Sequence, residues 1–215
     1  MPSAQPQSVL LATTNPAKAA KLTWALDGLG LSLRTLRDMP PAPEPEETGA
    51  TFEENARVKA TYWSRVADCL AIASDGGVAI PALGERWDAL QTRRNAGERV
   101  TDEERSQRLL DTMRPYRGQE RRVLWTEALA VAEKGRALAS WQADGDEGYL
   151  AERYDPAPID RGIPGFWVAS LFYYPRFGKC YAELSPDELA QVDTSWRTLK
   201  EQAQAWFKAR AADLR

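Results

Sequence analysis

Asp75 follows an apolar run at residues 69–74 (CLAIAS) and precedes two glycines, a placement that suits a catalytic or metal-binding carboxylate. A strand with an apolar interior lies near the centre of a sheet, and open α/β sheets bind ligands at the carboxyl ends of such strands. Gly76 and Gly77 permit close backbone approach or a positive φ. Asp75 is therefore a candidate base or metal ligand. The alternative is an Asx-type turn, in which Asp75 bonds only the next amides.

A second candidate is the segment ATTNPAK, which carries Thr13, Thr14, Asn15 and Lys18. It joins an apolar run to a predicted helix that begins at Pro16. The first amides of a helix have no internal partner and carry the positive end of the dipole, which suits a phosphate. Lys18 adds a full positive charge. The alternative is that Asn15 only caps the helix and Lys18 is solvated.

Further acids and aromatic residues stand in two other segments. Glu46 and Glu47 end a proline-rich stretch that we expect to be a surface loop. Phe166 and Trp167 offer a flat face for a purine, with Lys179 downstream. The alternative for the two aromatic residues is burial in the core.

The composition limits the chemistry. The 215 residues carry a net charge of -3 and include no histidine, which excludes triads and metal sites that need an imidazole. Carboxylates, lysines and oxygen-bound ions such as Mg²⁺ remain. Cys69 and Cys180 are expected to be reduced thiols.

The same properties give expectations about location and partners. No overall basic field favours a long polyanion, so we expect no nucleic acid partner. No apolar run has the length of a membrane span, and no leader pattern is present at the N-terminus. We therefore expect a cytoplasmic protein without membrane contact.

Hydrophobic periodicity and capping residues predict the helices and strands that would position these residues. Asn15 and the pairs Thr51/Glu54 and Thr101/Glu104 predict the starts of three helices. A hairpin is predicted around residues 133–135, a strand over GFWVASLFYY, and an amphipathic helix at the end of the chain. Strands and helices do not alternate regularly, so we predict an α/β fold with a long mixed sheet and flanking helices.

Taken in order, these stretches resemble the inosine triphosphate pyrophosphatase family, which hydrolyses non-standard purine nucleoside triphosphates. ATTNPAK is similar to the family's T-x-N-x-x-K motif, and EETGATFEENARVKA resembles its E-E-T-G-x-T-F-x-E-N-A-x-x-K-A segment. ASDGGVAIPALG resembles A-D-D-S-G-L, with Asp75 on the second aspartate, and GKCYAELSPDE resembles G-K-T-x-A-E-L-S-P-E-E.

The resemblance implies a single domain over residues 1–215 with two lobes around a central cleft, Mg²⁺ dependence and a homodimer. It implies that Glu47 and Asp75 hold the metal and that Asp75, Lys18 and Glu47 are catalytic. The residues expected to bind the triphosphate substrate are Thr13, Thr14, Asn15, Lys18, Gly76, Arg93, Phe166, Trp167, Lys179 and Arg197.

The departures from the family pattern fall mainly on base recognition. The first aspartate of the family pair is Ser74 here, and the tyrosine and aspartate of G-F-G-Y-D-P are replaced by Val168 and Ala169. Leu189 replaces a lysine. The family's Ser-His-Arg has no clean counterpart, since DTSWR offers Ser195 and Arg197 around Trp196 only with a two-residue insertion. The sequence therefore predicts a pyrophosphohydrolase with an altered or relaxed base pocket. The alternatives are a nucleotide-binding protein without catalysis and a purely structural subunit.

Overall fold

The computed structural model describes residues 7–97, 99–153 and 167–213. The strands in this part of the chain are β1 (Ser8–Leu11), β2 (Ser32–Thr35), β3 (Leu70–Ala79), β4 (Arg122–Glu133), β5 (Arg136–Leu150), β6 (Phe172–Tyr174) and β7 (Lys179–Cys180). The α-helices are α1 (Pro16–Leu26), α2 (Phe52–Val66), α3 (Thr92–Asn95), α4 (Asp102–Thr112), α5 (Pro186–Val192) and α6 (Thr194–Asp213).

The strands form one seven-stranded sheet in the order β2-β1-β3-β4-β5-β6-β7. β1 pairs in parallel with β2 and β3, whereas β6 pairs in antiparallel with β5 and β7. Lys134 and Gly135 connect β4 to β5, and both have positive φ, as a tight hairpin turn requires. The predicted α/β fold with a mixed sheet and flanking helices is therefore confirmed.

The helices start where their capping residues predict. Asn15 and Thr51 accept hydrogen bonds from first-turn amides of α1 and α2, and Thr101 forms a reciprocal capping box with Glu104 at α4. Each bond satisfies a donor that the helix itself leaves without a partner.

The chain forms two compact units, each with its own core. The first unit comprises Met1–Asp75, Glu127–Ala143 and Ser195–Arg215, and the second comprises Gly76–Thr126 and Asp144–Thr194. The core of the first unit includes Leu22, Ile72, Leu129, Leu199 and Phe207, whereas that of the second includes Val78, Leu109, Met113, Trp167 and Phe172. None of the helices in the described residues combines the length and hydropathy of a membrane span.

Three local expectations were wrong. β3 does not end at Asp75 but continues through both glycines to Ala79, because the twelve-residue strand β4 lies beside it. In the described part of the segment expected to be a strand, Trp167–Ser170 form a 3₁₀ turn, in which the Ser170 hydroxyl donates to the Trp167 carbonyl. Phe52, Ala56, Trp63 and Val66 are expected from their spacing to face inward, but Val66 is exposed because it is the last residue of α2.

We expect Gly148→Ala to lower the free energy of unfolding by about 2 kcal/mol, because an added Cβ overpacks the core. That Cβ would overlap Cε1 of Phe172 and would lie 2.8 Å from Cδ1. The Phe172 ring is fully buried between Trp125 and Tyr174 and has little room to move. Urea unfolding measures the loss. Adding Phe172→Leu to Gly148→Ala should cost less than the sum of the two single changes, and strict additivity would contradict the overlap.

Candidate active site

Two adjacent parallel strands of the first unit bring the predicted site residues to one edge of the sheet. β1 and β3 pair with Leu11 opposite Ile72, so their carboxyl ends point the same way. β1 ends at Leu11 and the chain turns into α1, whereas β3 continues to Asp75. The turn before α1 and the Asp75 carboxylate therefore lie close together, and Lys18 Nζ stands 3.7 Å from Asp75 Oδ1.

The turn between β1 and α1 is held by its own side chains. Thr13 Oγ1 accepts a hydrogen bond from the Asn15 amide at 3.1 Å, and Asn15 Oδ1 accepts from the amides of Ala17 and Lys18 at 2.8 and 3.2 Å. Pro16 has no amide hydrogen to offer. Asn15 therefore caps α1, as its position predicts. An anion at this turn would be held mainly by side chains such as the Lys18 ammonium group.

Lys59 on α2 joins two of the predicted acids. Its Nζ lies 2.6 Å from Asp75 Oδ1 and 2.9 Å from Glu47 Oε1. Glu47 comes from the loop before α2, and Asp75 comes from β3. The predicted convergence of Glu47, Asp75 and Lys18 is thus observed, with the Lys59 ammonium group at its centre.

The charge of Lys59 is stabilised by its neighbours. Burial by itself would lower the pKa of Lys59, but Asp75 and Glu47 outweigh burial and raise it above the usual value of 10.5. Lys59 is therefore a permanent cation at neutral pH. Its side chain is 15 % exposed, so the charge lies largely away from solvent screening.

One oxygen of the buried acid is left for a ligand. Asp75 is 5 % exposed, and no protein group in the described residues hydrogen-bonds its Oδ2 atom. A buried carboxylate oxygen without a partner is costly unless a cation or water completes it. Oxygen donors of this kind suit Mg²⁺, which proteins bind through one or two carboxylates together with water and substrate phosphates. The residues present therefore fit a magnesium ion.

The metal donors within the protein are few. In the described part of the chain, histidine, cysteine and acidic side chains form no group of three or more that could hold a metal ion. Glu47 and Asp75 are then the protein donors to consider, and both are already bonded to Lys59 through one oxygen. A bound ion would need further oxygen ligands from outside the protein.

The loop that carries Glu47 is anchored at the start of α2. Asn55 Oδ1 accepts from the Gly49 amide at 2.8 Å, and Glu54 accepts from the Ala50 amide at 2.7 Å. A Cβ at Gly49 would lie 2.6 Å from Glu54 Cβ, so only glycine fits so close to α2. This close approach, two residues after Glu47, fixes how the loop lies against the start of α2.

Lys59 is the site residue that the sequence prediction missed. It lies seven residues after Phe52 and four before Trp63, and therefore on the buried face of α2. A lysine within an otherwise apolar stripe must find a counter-charge, because an unpaired buried ammonium group is costly. That position was the signal available in the sequence.

Other predicted site residues have positions or partners of their own. Gly76 continues β3, and Trp167 is buried in the core of the second unit. Lys179 Nζ bonds both carboxylate oxygens of Glu188 at 2.8 and 2.9 Å, also in the second unit. Arg197 is exposed in the first turn of α6. Phe166 and the side chain of Arg93 lie outside the described residues.

Comparison of the sequence with known proteins gives matches over most of the chain. The model of the Ham1 family matches residues 9–205. A dITP/XTP pyrophosphatase of Geobacillus kaustophilus is 36% identical over 200 residues, which cover 93% of this chain and 94% of the relative. A dITP/XTP pyrophosphatase of Thermus thermophilus is 36% identical over 198 residues, covering 92% of this chain and 91% of the relative.

Solved structures show the same fold. A HAM1 protein from Coxiella burnetii has a TM-score of 0.75 and 28% identity, with 94% of this chain and 99% of that chain covered. The Ham1 protein of Staphylococcus aureus has a TM-score of 0.71 and 23% identity, with coverage of 93% and 99%. The second likeness concerns the fold alone.

We expect Lys59→Met to lower the free energy of unfolding by about 2 kcal/mol near pH 8, because Asp75 loses the ammonium group that compensates its burial. Glu47 is 32% exposed, which keeps the loss below that of a fully buried pair. The loss should be the same at pH 7 and at pH 9, because Lys59 keeps its charge in the unaltered protein throughout that range. Urea unfolding at both pH values measures this.

The constant loss in this range follows from the raised pKa of Lys59. Lys59 contributes its full stability below 10.5 and loses it only as the pH rises through its folded pKa. Lys208→Met, at an exposed position of α6, is the matched control and should change stability little at either pH. A loss for Lys59→Met that disappeared at pH 9 would contradict the assignment.

Proposed function

Because this chain belongs to the Ham1 family, we propose that it hydrolyses nucleoside triphosphates to nucleoside monophosphates and pyrophosphate. Its relatives named dITP/XTP pyrophosphatases support non-standard purine nucleotides such as dITP, XTP and ITP as the substrate class. The observation that carries the proposal is the cluster of charges around the buried Asp75 carboxylate. Lys18 and Lys59 lie beside it, and Lys59 also pairs with Glu47. On this proposal the chain is a hydrolase of phosphoric anhydride bonds.

The side chains suggest how the reaction would proceed. Lys18 and Lys59 place two ammonium groups beside Asp75, where they can stabilise the negative charge of a polyphosphate. Asp75 Oδ2 can orient a water molecule and accept its proton, since no protein donor in the described residues occupies it. The water oxygen bonds to the α-phosphorus, the bond from that phosphorus to the bridging oxygen breaks, and pyrophosphate leaves.

A Mg²⁺ ion is proposed as the cofactor, held by Glu47 and Asp75. The support is the chemistry of the donors, namely carboxylate oxygens, one of them buried without a protein partner in the described chain. When bound, such an ion neutralises phosphate charge and polarises the bond to be broken. Glu47 would then serve Lys59 and the ion through different oxygens. Asp75 Oδ1 would stay with Lys59, and the two lone pairs of Oδ2 would serve the ion and the attacking water.

Relaxed base specificity is proposed as the second part of the function. Val168 and Ala169 are buried apolar residues of the second unit, and Leu189 packs against the same core. A pocket that hydrogen-bonds a 6-keto purine rejects other bases because its polar groups would be left without partners. Apolar side chains at the corresponding positions remove that penalty.

Three other expectations stay predictions. A homodimer and a single two-lobed domain rest on the family resemblance, whereas a cytoplasmic location rests on the sequence pattern. The described residues leave Trp24 and Val66 as exposed large hydrophobic side chains, 40% and 42% exposed. Light scattering should give about twice the chain mass of 24.0 kDa if the protein is a dimer in solution.

Pyrophosphate release from dITP, XTP, ITP, dUTP and the standard triphosphates tests the function directly. We expect turnover of dITP, XTP and ITP, with kcat/KM exceeding that for dATP or dGTP by less than about 100-fold. The reason is the loss of polar groups that would reject the wrong base. Discrimination of 10⁴-fold or more, as an order of magnitude for a polar pocket, would contradict relaxed specificity.

Asp75→Asn is expected to lower kcat by about a thousandfold, because the amide neither accepts the water proton nor holds a cation as a carboxylate does. The carboxamide keeps the shape of the side chain. Thermal unfolding with and without Mg²⁺ and a triphosphate gives a second measurement, and the variant should lose the stabilisation that the metal adds. Asp27→Asn, at the exposed carboxyl end of α1, is the control. Nucleotide binding without turnover in the unaltered protein would instead indicate a binding protein.

A further inference from the structure

A hydrogen bond joins two segments that both carry site residues. Thr14 Oγ1 donates to Glu44 Oε1 at 2.8 Å, although the two residues are 30 positions apart. Thr14 belongs to the turn that leads to Lys18. Glu44 belongs to the proline loop, residues 40–50, which also carries Glu47. The bond therefore ties the loop of one candidate metal ligand to the turn of one candidate phosphate-binding lysine.

Two flanking prolines restrict the backbone conformation of Glu44. It stands between Pro43 and Pro45, whose rings fix φ and restrict the residue before each of them to extended conformations. A segment stiffened in this way loses little conformational entropy when it is held in place. At its other end the proline loop is held to α2 by the amides of Gly49 and Ala50. Glu47 lies between these two attachments.

The hydroxyl group of Thr14 can donate a hydrogen bond to only one acceptor at a time. A threonine hydroxyl carries one proton, and Glu44 takes it in this structure. A phosphate oxygen could accept the same proton only after Glu44 had left. Thr13 and Lys18 do not depend on this choice, because Thr13 bonds within the turn and Lys18 pairs with Asp75.

We propose that Glu44 is a positioning residue, which anchors the proline loop on Thr14 and so holds Glu47 beside Lys59. Thr14 then acts as the anchor of the loop and not as a ligand of the triphosphate. The kinetic part of this inference rests on the proposed function, whereas the anchoring contact does not.

Amide hydrogen exchange of Gly49 and Ala50, the loop amides that bond to Asn55 and Glu54, tests the anchor without requiring activity. We expect Glu44→Ala and Thr14→Val each to speed exchange there by roughly fivefold, as for loss of one charge-assisted hydrogen bond at the surface. Glu44→Gln keeps an acceptor oxygen and should stay within about twofold of the unaltered protein. The double variant Thr14→Val with Glu44→Ala should match the single variants, because both remove the same contact.

The matched charge control is Asp27→Asn, which removes an exposed acid about 14 Å along α1 from Lys18. It should leave the exchange of the Gly49 and Ala50 amides unchanged. Loss of the anchor in Glu44→Ala and Thr14→Val should also lower kcat by about fivefold while KM changes less than about twofold, because Glu47 is held less firmly. Glu44→Gln should restore kcat.

Several outcomes would overturn the proposal. Unchanged exchange in Glu44→Ala would show that the contact does not hold the loop. A raised KM in Thr14→Val with unchanged exchange would assign Thr14 to the phosphate. A lowered KM in both Glu44→Ala and Glu44→Gln would show that Glu44 acts by repelling the substrate. If the unaltered protein turns over no triphosphate, the proposed function fails, but the exchange measurements still decide the anchor.

Discussion

The Lys59 ammonium group is the feature on which the candidate site depends. Asp75 is a carboxylate on a central strand of the sheet, where a buried charge without a counter-charge would be costly. Lys59 compensates that burial at 2.6 Å and reaches Glu47 at 2.9 Å with the same group. A single cation thus compensates one buried acid and fixes the position of another. Because the ammonium group is itself held between two acids, its charge persists at neutral pH.

The backbone explains why these groups meet. β1 is short and β3 is long, so one strand gives way to a turn where its parallel neighbour continues to Asp75. α2 then presents Lys59 from the middle of its buried face, between Ala56 and Trp63. Capping at Asn15 and Thr51 fixes where the two helices begin. Precise placement of a few charges on rigid elements is what phosphoryl transfer requires of a protein, since the chemistry relies on positioning and electrostatics.

The two halves of the family pattern differ in physical character. The residues at the family's phosphate-binding and metal-binding positions are polar, partly buried and bonded to one another within the first unit. At the positions of base recognition the second unit has buried apolar residues such as Val168 and Ala169. Lys179 is held by Glu188. A protein with this division would recognise the triphosphate by charge and the base by shape, which is the physical basis for expecting broad substrate use.

Much of this could be predicted from the sequence because the signals are local. The helix starts at Asn15, Thr51 and Thr101 follow from capping chemistry, and the hairpin follows from a short turn between two strand-like runs. The strand through Gly76 and Gly77 could not be read in this way, because a glycine pair looks like a turn until a neighbouring strand pairs with it.

The amino-acid sequence by itself determined the α/β class, the starts of the main helices and the residue types available for chemistry, with no imidazole among them. Only the tertiary structure decided that Lys59 joins Glu47 to Asp75, and that Thr14 bonds Glu44. The reason is that local hydrogen bonds and periodicity act between near neighbours in the chain. Charge compensation of a buried acid depends instead on which side chains folding brings within about 3 Å.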